Sequence, residues 1–302
     1  MRASIVFWVE NYFYHPSLFQ ELLSFLLLPL SWLYCCVMWI RYKLAKEEDF
    51  GVDILSVGNL TVGGSGKTPL VTALADNLFN VAIILRGYGR SSQGLVVVKD
   101  REHILCDVTI SGDEAMIYAQ KLPLAIVIVS EDRKKAIQKA KEMGVQKIFL
   151  DDAYSKHTIK KKDIVIDVET QNRSCLPSGP FRERLWSGKK ALVVRDGIDF
   201  VRKVKVQNKQ KRMALVTAIA RPQRLDSFLP EGVVAKHYFE DHHSFTKEEL
   251  IAILEAEKVD SLLVTFKDYV KIQSYNLPLS LLDLEVKVES RLSEFVFEQP
   301  FC

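Results

Sequence analysis

The run ILSVGNLTVGGSGKTP, residues 54–69 of a 302-residue chain, holds the residue types and spacing best suited to chemistry. An apolar stretch enters Gly63, Gly64, Ser65 and Gly66, then Lys67 and Thr68, and Pro69 follows where the first turn of a helix tolerates proline. Glycines let backbone N–H groups turn inward around phosphate oxygens, and a helix N-terminus adds the positive end of its dipole. Lys67 is long enough to reach the terminal phosphates, and the Thr68 hydroxyl suits a Mg²⁺ shell. A strict GxxxxGKS/T loop would have glycine at position 61, where this chain has Thr61. The order of strand, glycine loop, Gly-Lys-Thr and helix still predicts a nucleoside triphosphate site along Thr61, Gly63, Gly64, Ser65, Gly66, Lys67 and Thr68.

Such a site also needs carboxylates near the metal, normally where a neighbouring buried strand emerges. KIFLDD (147–152) supplies Asp151 and Asp152 there, although an Asp pair after a strand also serves simply to turn the chain. Asp113 and Glu114 open a helix after a short VTI strand (108–110), an arrangement that equally suits capping and charge–dipole pairing. Three of the six histidines, His237, His242 and His243, fall within AKHYFEDHHSF. Beside acids and just before a helix, they fit either a general-base component or a solvent-facing loop. Their spacing matches no zinc pattern.

These groups matter only if the fold converges on them. DILSV, VAIIL, LVVV, AIVIV, KIFL and DIVIDV, between residues 53 and 168, read as buried strands, and residues 67–79 and 131–143 as one-faced helices. Apolar strands alternating with helices imply a mostly parallel sheet covered on both faces, here a P-loop NTPase-like α/β domain over residues 49–198. The stretch 199–212, VRKVKVQNKQKR at its core, is strongly basic and reads as an exposed linker or hairpin. A second, smaller α/β domain is expected over residues 213–302, with strands at 213–219, 233–239 and 261–266 and a helix at 246–258. At 302 residues, two domains are the ordinary expectation. With 41 basic against 38 acidic side chains, the net charge of +3 argues against a dedicated nucleic-acid binder. The five scattered cysteines, Cys35, Cys36, Cys106, Cys175 and Cys302, suggest neither a disulfide framework nor zinc, and fit a reducing, cytoplasmic setting.

The first 48 residues differ. Leu22 to Ile40 contains no charge, and nineteen helical residues just cross a hydrocarbon core of roughly 30 Å. Arg41, Lys43 and Lys46 follow at once, so the basic end is expected on the cytoplasmic side. Residues 1–48 are therefore expected to form a membrane-associating segment, a buried core helix being the alternative; Pro29 would kink the run into two pieces, leaving open whether it spans the bilayer or lies in the interface.

Taken in order, these pieces resemble the tetraacyldisaccharide 4'-kinase family, the lipid A 4'-kinases. The resemblance rests on LLLPLSWLY, SVGNLTVGGSGKTP, LRGYGR, GDEA, LDDAYSKH, LPSGPFRE, TAIARPQR, FEDHHSFT and VTFKD, from about residue 26 to about residue 271. It implies ATP and Mg²⁺ as cofactors and phosphorylation of the 4'-hydroxyl of a tetraacylated disaccharide 1-phosphate, giving lipid IVA. It also implies work at the cytoplasmic face of the bacterial inner membrane, with the lipid A precursor and membrane lipids as partners, and no nucleic acid or obligate protein partner. By the same resemblance Asp113 pairs with His242, or failing that His243, as the base. Lys67 acts on the phosphates, and Thr68, Glu114, Asp151 and Asp152 serve the metal. Arg86, Tyr88 and Arg182 meet substrate. The chain departs from the family's DDGFQH, GDEP, LREP and VTEKD, which here read DDAYSKH, GDEA, FRER and VTFKD. The competing expectation is a membrane-tethered P-loop ATPase or switch acting on a protein partner, although no guanine-reading NKxD is present.

Overall fold

A computed structural model describes residues 2–220 and 222–297. Arg221 of the TAIARPQR run and Cys302 lie outside the described residues. Helices α1 (Arg2–Tyr14), α2 (Leu18–Leu26) and α3 (Leu28–Leu44) open the chain. The first sheet comprises β1 (Asp53–Asn59), β2 (Val81–Leu85), β3 (Val96–Lys99), β4 (Ile126–Val129), β5 (Lys147–Asp151), β6 (Lys162–Ile166) and β7 (Ala191–Val194). Between its strands lie α4 (Lys67–Ala75), α5 (Val108–Ser111), α6 (Asp113–Lys121) and α7 (Arg133–Glu142). The strand order is β3-β4-β2-β5-β1-β6-β7, and all pairs are parallel except β3 with β4. Parallel strands need helical crossovers, so both faces are covered; the strands accordingly read as unbroken apolar runs such as VAIIL, buried along its length.

The second sheet comprises β8 (Phe200–Gln207), β9 (Met213–Thr217), β10 (Val233–Tyr238), β11 (Ser261–Thr265) and β12 (Leu279–Val288), in the order β10-β9-β11-β12-β8. Helices α8 (Lys247–Glu257), α9 (Phe266–Ile272) and α10 (Ser290–Phe297) accompany it. The basic stretch expected as an exposed linker or hairpin is an edge strand whose partner is β12. Its alternation VRKVKVQ turns Val204 and Val206 onto the core while the lysines face water, and the whole of β8 pairs antiparallel with β12. Lysines on an edge strand also discourage pairing with another chain. VTI (108–110) is likewise not a strand: Asp107 caps it as the single helical turn α5, accepting the Ile110 N–H.

The two units are not independent. Leu292 and Val296 of α10, with Val270 of α9, are buried in the same apolar cluster as β1, β2 and α6 of the first sheet. Val286 and Val288 of β12 pack against that cluster, and Lys121 of α6 forms a half-buried ion pair with Asp283 of β12. The expected 213–302 domain thus returns its last described helix to the first.

The apolar N-terminal run is two helices, not one. α2 and α3 meet at 56°, and no single described helix is long and apolar enough to cross a membrane. The break falls at Leu27, two residues ahead of Pro29, which takes a first-turn position of α3 where its missing N–H costs nothing. One stripe of this pair docks on the loop before β7: Ser178 N–H donates to Ser31 Oγ at 2.8 Å, Ser24 Oγ donates to the Ser178 carbonyl at 2.8 Å, and Tyr34 OH to the Arg182 carbonyl at 3.1 Å. The opposite side leaves Leu18, Phe19, Phe25, Trp32, Leu33 and Leu44 more than half exposed. These are not core helices.

Because α10 completes the first core, Leu292→Ala should cost about 2–5 kcal/mol and shift one cooperative denaturant transition as a whole. A separate early transition for the second unit would contradict the shared core.

Candidate functional site

The parallel strands end along one edge of the first sheet, and the polar residues of interest follow them there. β1 ends at Asn59; the loop 60–66 then turns through Gly63 (φ 92°) and Gly66 (φ 74°) into α4. Only glycine adopts these angles at little cost, and they aim the loop's backbone toward the helix N-terminus. Lys67 Nζ donates to Asn59 Oδ1 at 3.0 Å and to Ser65 Oγ at 3.4 Å, and stands 3.5 Å from Asp152. Thr61 is buried and bridges to Phe181, so this non-glycine position ties the loop to the neighbouring segment. The neighbouring segment places Arg182: its backbone N–H donates to the Leu60 carbonyl, and its guanidinium donates to Asn59 Oδ1 at 3.0 Å and to Asp152.

Asp151 and Asp152 follow β5 and differ sharply. Asp152, in the left-handed region (φ 51°), faces Lys67 and Arg182. Burial pushes its carboxyl up, but these two cations outweigh it and hold it below the ordinary range. Asp151 is fully enclosed; Tyr118 OH donates to its Oδ2 at 2.9 Å, while Oδ1 has no partner. Burial, reinforced by the negative charge of Glu114, pushes Asp151 up to about 7. Among the described residues no three His, Cys, Asp or Glu side chains converge to hold a metal by themselves. The expected set Thr68, Glu114, Asp151 and Asp152 is therefore not a closed cage. An orphaned carboxylate oxygen, a second acid whose charge it feels and the glycine loop nevertheless fit a divalent cation arriving with a polyphosphate.

Asp113 begins α6 beyond the RGYGR loop, and the second unit reaches it. His242 Nδ1–H donates to Asp113 Oδ2 at 3.0 Å, and Lys271 Nζ lies 3.3 Å from the same oxygen. Burial works to raise Asp113, but the His242 hydrogen bond and the charges of Lys271 and Lys267 prevail and keep it below the ordinary carboxylate range. The other imidazole nitrogen, Nε2, lies 3.4 Å from Lys267 Nζ and 3.7 Å from Asp241. His242 is itself in the left-handed region (φ 65°), a conformation a non-glycine residue keeps only when its surroundings over-determine it. Tyr88 tilts over its ring at 5.3 Å, and a side chain at Gly89 would come within 3.8 Å of Nδ1. Arg86 and Tyr88 stay exposed at this edge.

His243 is engaged locally instead, accepted by Glu249 at 2.9 Å and stacked on Phe239 at 4.8 Å; His237 pairs with Glu257 at 2.9 Å. The DDAYSKH variation builds structure: Tyr154 is buried against Gly58, and buried His157 accepts from Lys189 at 2.9 Å and lies 3.5 Å from Glu183. Sequence reasoning assigned no role to Asn59, Tyr118, Arg133 or the Lys267/Lys271 pair. The last was visible as two lysines four apart on a helix that follows a buried strand. Arg202 of β8, at the start of the basic run, turns to the glycine loop: its guanidinium donates to the Ser65 carbonyl at 2.9 Å and fills the space over Gly66.

The chain matches the family described as tetraacyldisaccharide-1-P 4'-kinase over residues 23–198 and 195–299. A tetraacyldisaccharide 4'-kinase of Aliarcobacter butzleri is 44% identical over 302 residues, covering 97% of this chain and 96% of the relative. One of Campylobacter jejuni serotype O:2 is 43% identical, covering 95% and 94%. In structure the chain is similar to the "apo" form of LpxK from Aquifex aeolicus in complex with ATP, with a TM-score of 0.75 and 26% identity over 91% of this chain and 98% of that one.

Asp151 gives a pH prediction. The unfolded chain releases this proton near the ordinary aspartate value and the folded chain only near 7, so folded stability declines as pH rises between the two. In nucleotide-free protein, Asp151→Asn should flatten that decline and give a Tm above the parent's at about pH 8. An unchanged pH dependence of Tm would contradict the assignment.

Proposed function

The chain belongs to the tetraacyldisaccharide 4'-kinase family, and from that premise we propose how its residues transfer the γ-phosphoryl group of ATP to the 4'-hydroxyl of a tetraacylated disaccharide 1-phosphate, giving lipid IVA. The observation that carries the reading is the 3.0 Å contact between Asp113 and His242, one acid and one base from different units on the edge where the glycine loop opens. Proton removal from a sugar hydroxyl needs such a pair, and phosphoryl transfer otherwise needs positioning and charge dispersal.

In this reading the backbone N–H groups of residues 63–68 hold the ATP phosphates, and Lys67 exchanges Asn59 and Asp152 for the phosphate oxygens. Thr68 and Asp151, with Glu114 and Asp152 close by, would hold Mg²⁺, which when bound would disperse negative charge on the transferring group. Arg182 is placed to follow Lys67 onto phosphate, since the two share Asn59 and Asp152. Arg86 and Tyr88 flank the acceptor. Asp113, kept ionised by His242 and Lys271, takes the 4'-hydroxyl proton as the sugar oxygen bonds to the γ-phosphorus and the bond to ADP breaks; His242 orients the carboxylate and shares the proton. Asp113 and His242 meet only while the two units are docked, which excludes water from the transfer.

The exposed apolar sides of α2 and α3 lie in the cytoplasmic surface of the inner membrane, with Arg41, Lys43 and Lys46 toward anionic headgroups. The bend of 56° and the polar stripe docked on the protein favour an in-plane helix pair over a span. The acceptor's acyl chains then stay in the lipid while its sugar enters the cleft.

With labelled ATP and the tetraacyl disaccharide 1-phosphate, wild type should yield a doubly phosphorylated lipid. Asp113→Asn should lower kcat by about 10²–10⁴-fold with little change in ATP affinity, whereas Lys67→Ala should damage both. Undiminished turnover in Asp113→Asn would overturn the assignment.

A further inference from the structure

Beside the C-terminal end of α3 lies a cleft of about 390 Å³ whose walls include Arg41, Leu44, Ser155, Lys156 and Thr158. No acid is among the described residues that line it. Arg41 Nη2 donates to the Ser155 carbonyl at 3.3 Å, which holds the guanidinium at the wall while its other donors remain available. The Lys156 ammonium has neither a hydrogen bond nor an ion pair among the described residues, although the side chain is only partly exposed. Burial and the charges of Arg133, Arg41 and Arg86 outweigh the opposing charge of Asp132 and hold Lys156 below the ordinary lysine range. Two cations facing one cleft without a carboxylate disfavour each other unless an anion neutralises them.

We propose that Arg41 and Lys156 bind the phosphate group of a lipid lying along α3. A planar guanidinium fork beside an ammonium suits phosphate oxygens, and the Ser155 and Thr158 hydroxyls can complete the donor set. The apolar surroundings select a lipid over a free anion. Leu44 on the cleft wall is 76% exposed and continues the exposed side of α3 through Ile40, Val37 and Leu33, so acyl chains attached to the phosphate would run along that helix. Lys156 sits in the AYSKH segment, where the chain departs from the DDGFQH pattern. Two lipids bring the required group: an anionic bilayer phospholipid, or the acceptor through its own 1-phosphate. The second source rests on the kinase reading above; the first does not.

The test compares the double variant Arg41→Ser/Lys156→Ser with Lys209→Ser/Lys211→Ser, which removes equal charge from the exposed turn after β8. In one arm, full-length protein is floated with phosphatidylcholine vesicles with or without phosphatidylglycerol. In the other, KM is measured in phospholipid-free micelles for the acceptor and for the same disaccharide lacking its 1-phosphate. A loss of about tenfold or more in binding to anionic vesicles by the cleft variant alone assigns the site to bilayer phospholipid. A similar rise in KM for the 1-phosphate acceptor only, with the ATP Kd unchanged, assigns it to the acceptor. If the cleft variant matches the control variant in both arms while both retain the wild-type Tm, the proposal is wrong. If wild type phosphorylates neither lipid, the kinase reading fails and the vesicle arm alone decides the site.

Discussion

The hydrogen bond from His242 to Asp113 spans two sheets, and its geometry holds only if those sheets keep one relative position. That position is fixed far from the bond itself. Leu292 and Val296 of the last described helix fill the first core, β12 packs its Val286 and Val288 there, and Lys121 pairs with Asp283 across the join. His242 pays for its left-handed backbone through contacts on several sides: its own N–H to the Ala218 carbonyl, its ring to Asp113 and Tyr88, and Lys267 beyond. Each contact comes from a different element. The Asp113–His242 pair is thus a product of packing between units, not of any local motif.

At the nucleotide end, the same edge carries two adjacent carboxylates in opposite electrostatic states. Asp152 is neutralised by Lys67 and Arg182, whereas Asp151 is enclosed, with Tyr118 as its hydrogen-bond donor among the described residues and Glu114 as a like-charged neighbour. In the proposed reading, a cation arriving with ATP would relieve the second, and the phosphates would release Lys67 from the first. Arg202 on the Ser65 carbonyl makes the second unit a direct support of the phosphate loop as well.

Much of this was legible in the sequence, and the failures have physical reasons. The glycine loop, the strand ends bearing Asp151 and Asp152 and the alternating α/β order follow from local residue types, so the first sheet could be read in outline. In the 199–212 stretch the two-residue alternation was compatible with extended chain, but charge suggested an exposed linker or hairpin; its pairing with the distant β12 is not visible in local pattern. β12 and α10 escaped notice because LSLLDLEVKV and SRLSEFVF mix apolar and charged residues, and their meaning lies in which sheet they join. The choice between His242 and His243 could not be made from adjacent identical residues. The fold separates them by turning one ring to Asp113 and the other to Glu249. The nineteen-residue apolar run has the length of a span, but the stripe of Ser24, Ser31 and Tyr34 that docks it to the protein is invisible to a count of charges.

The central claim is that Asp113 and His242 act as one unit assembled between two domains. A double-mutant cycle on turnover tests it most directly, using Asp113→Asn, His242→Gln and the combination with saturating ATP and acceptor. The account predicts strong non-additivity, with the double variant scarcely slower than the slower single one. Losses that multiply as independent factors would mean that the two residues do not share the proton, and the interdomain mechanism would have to be abandoned.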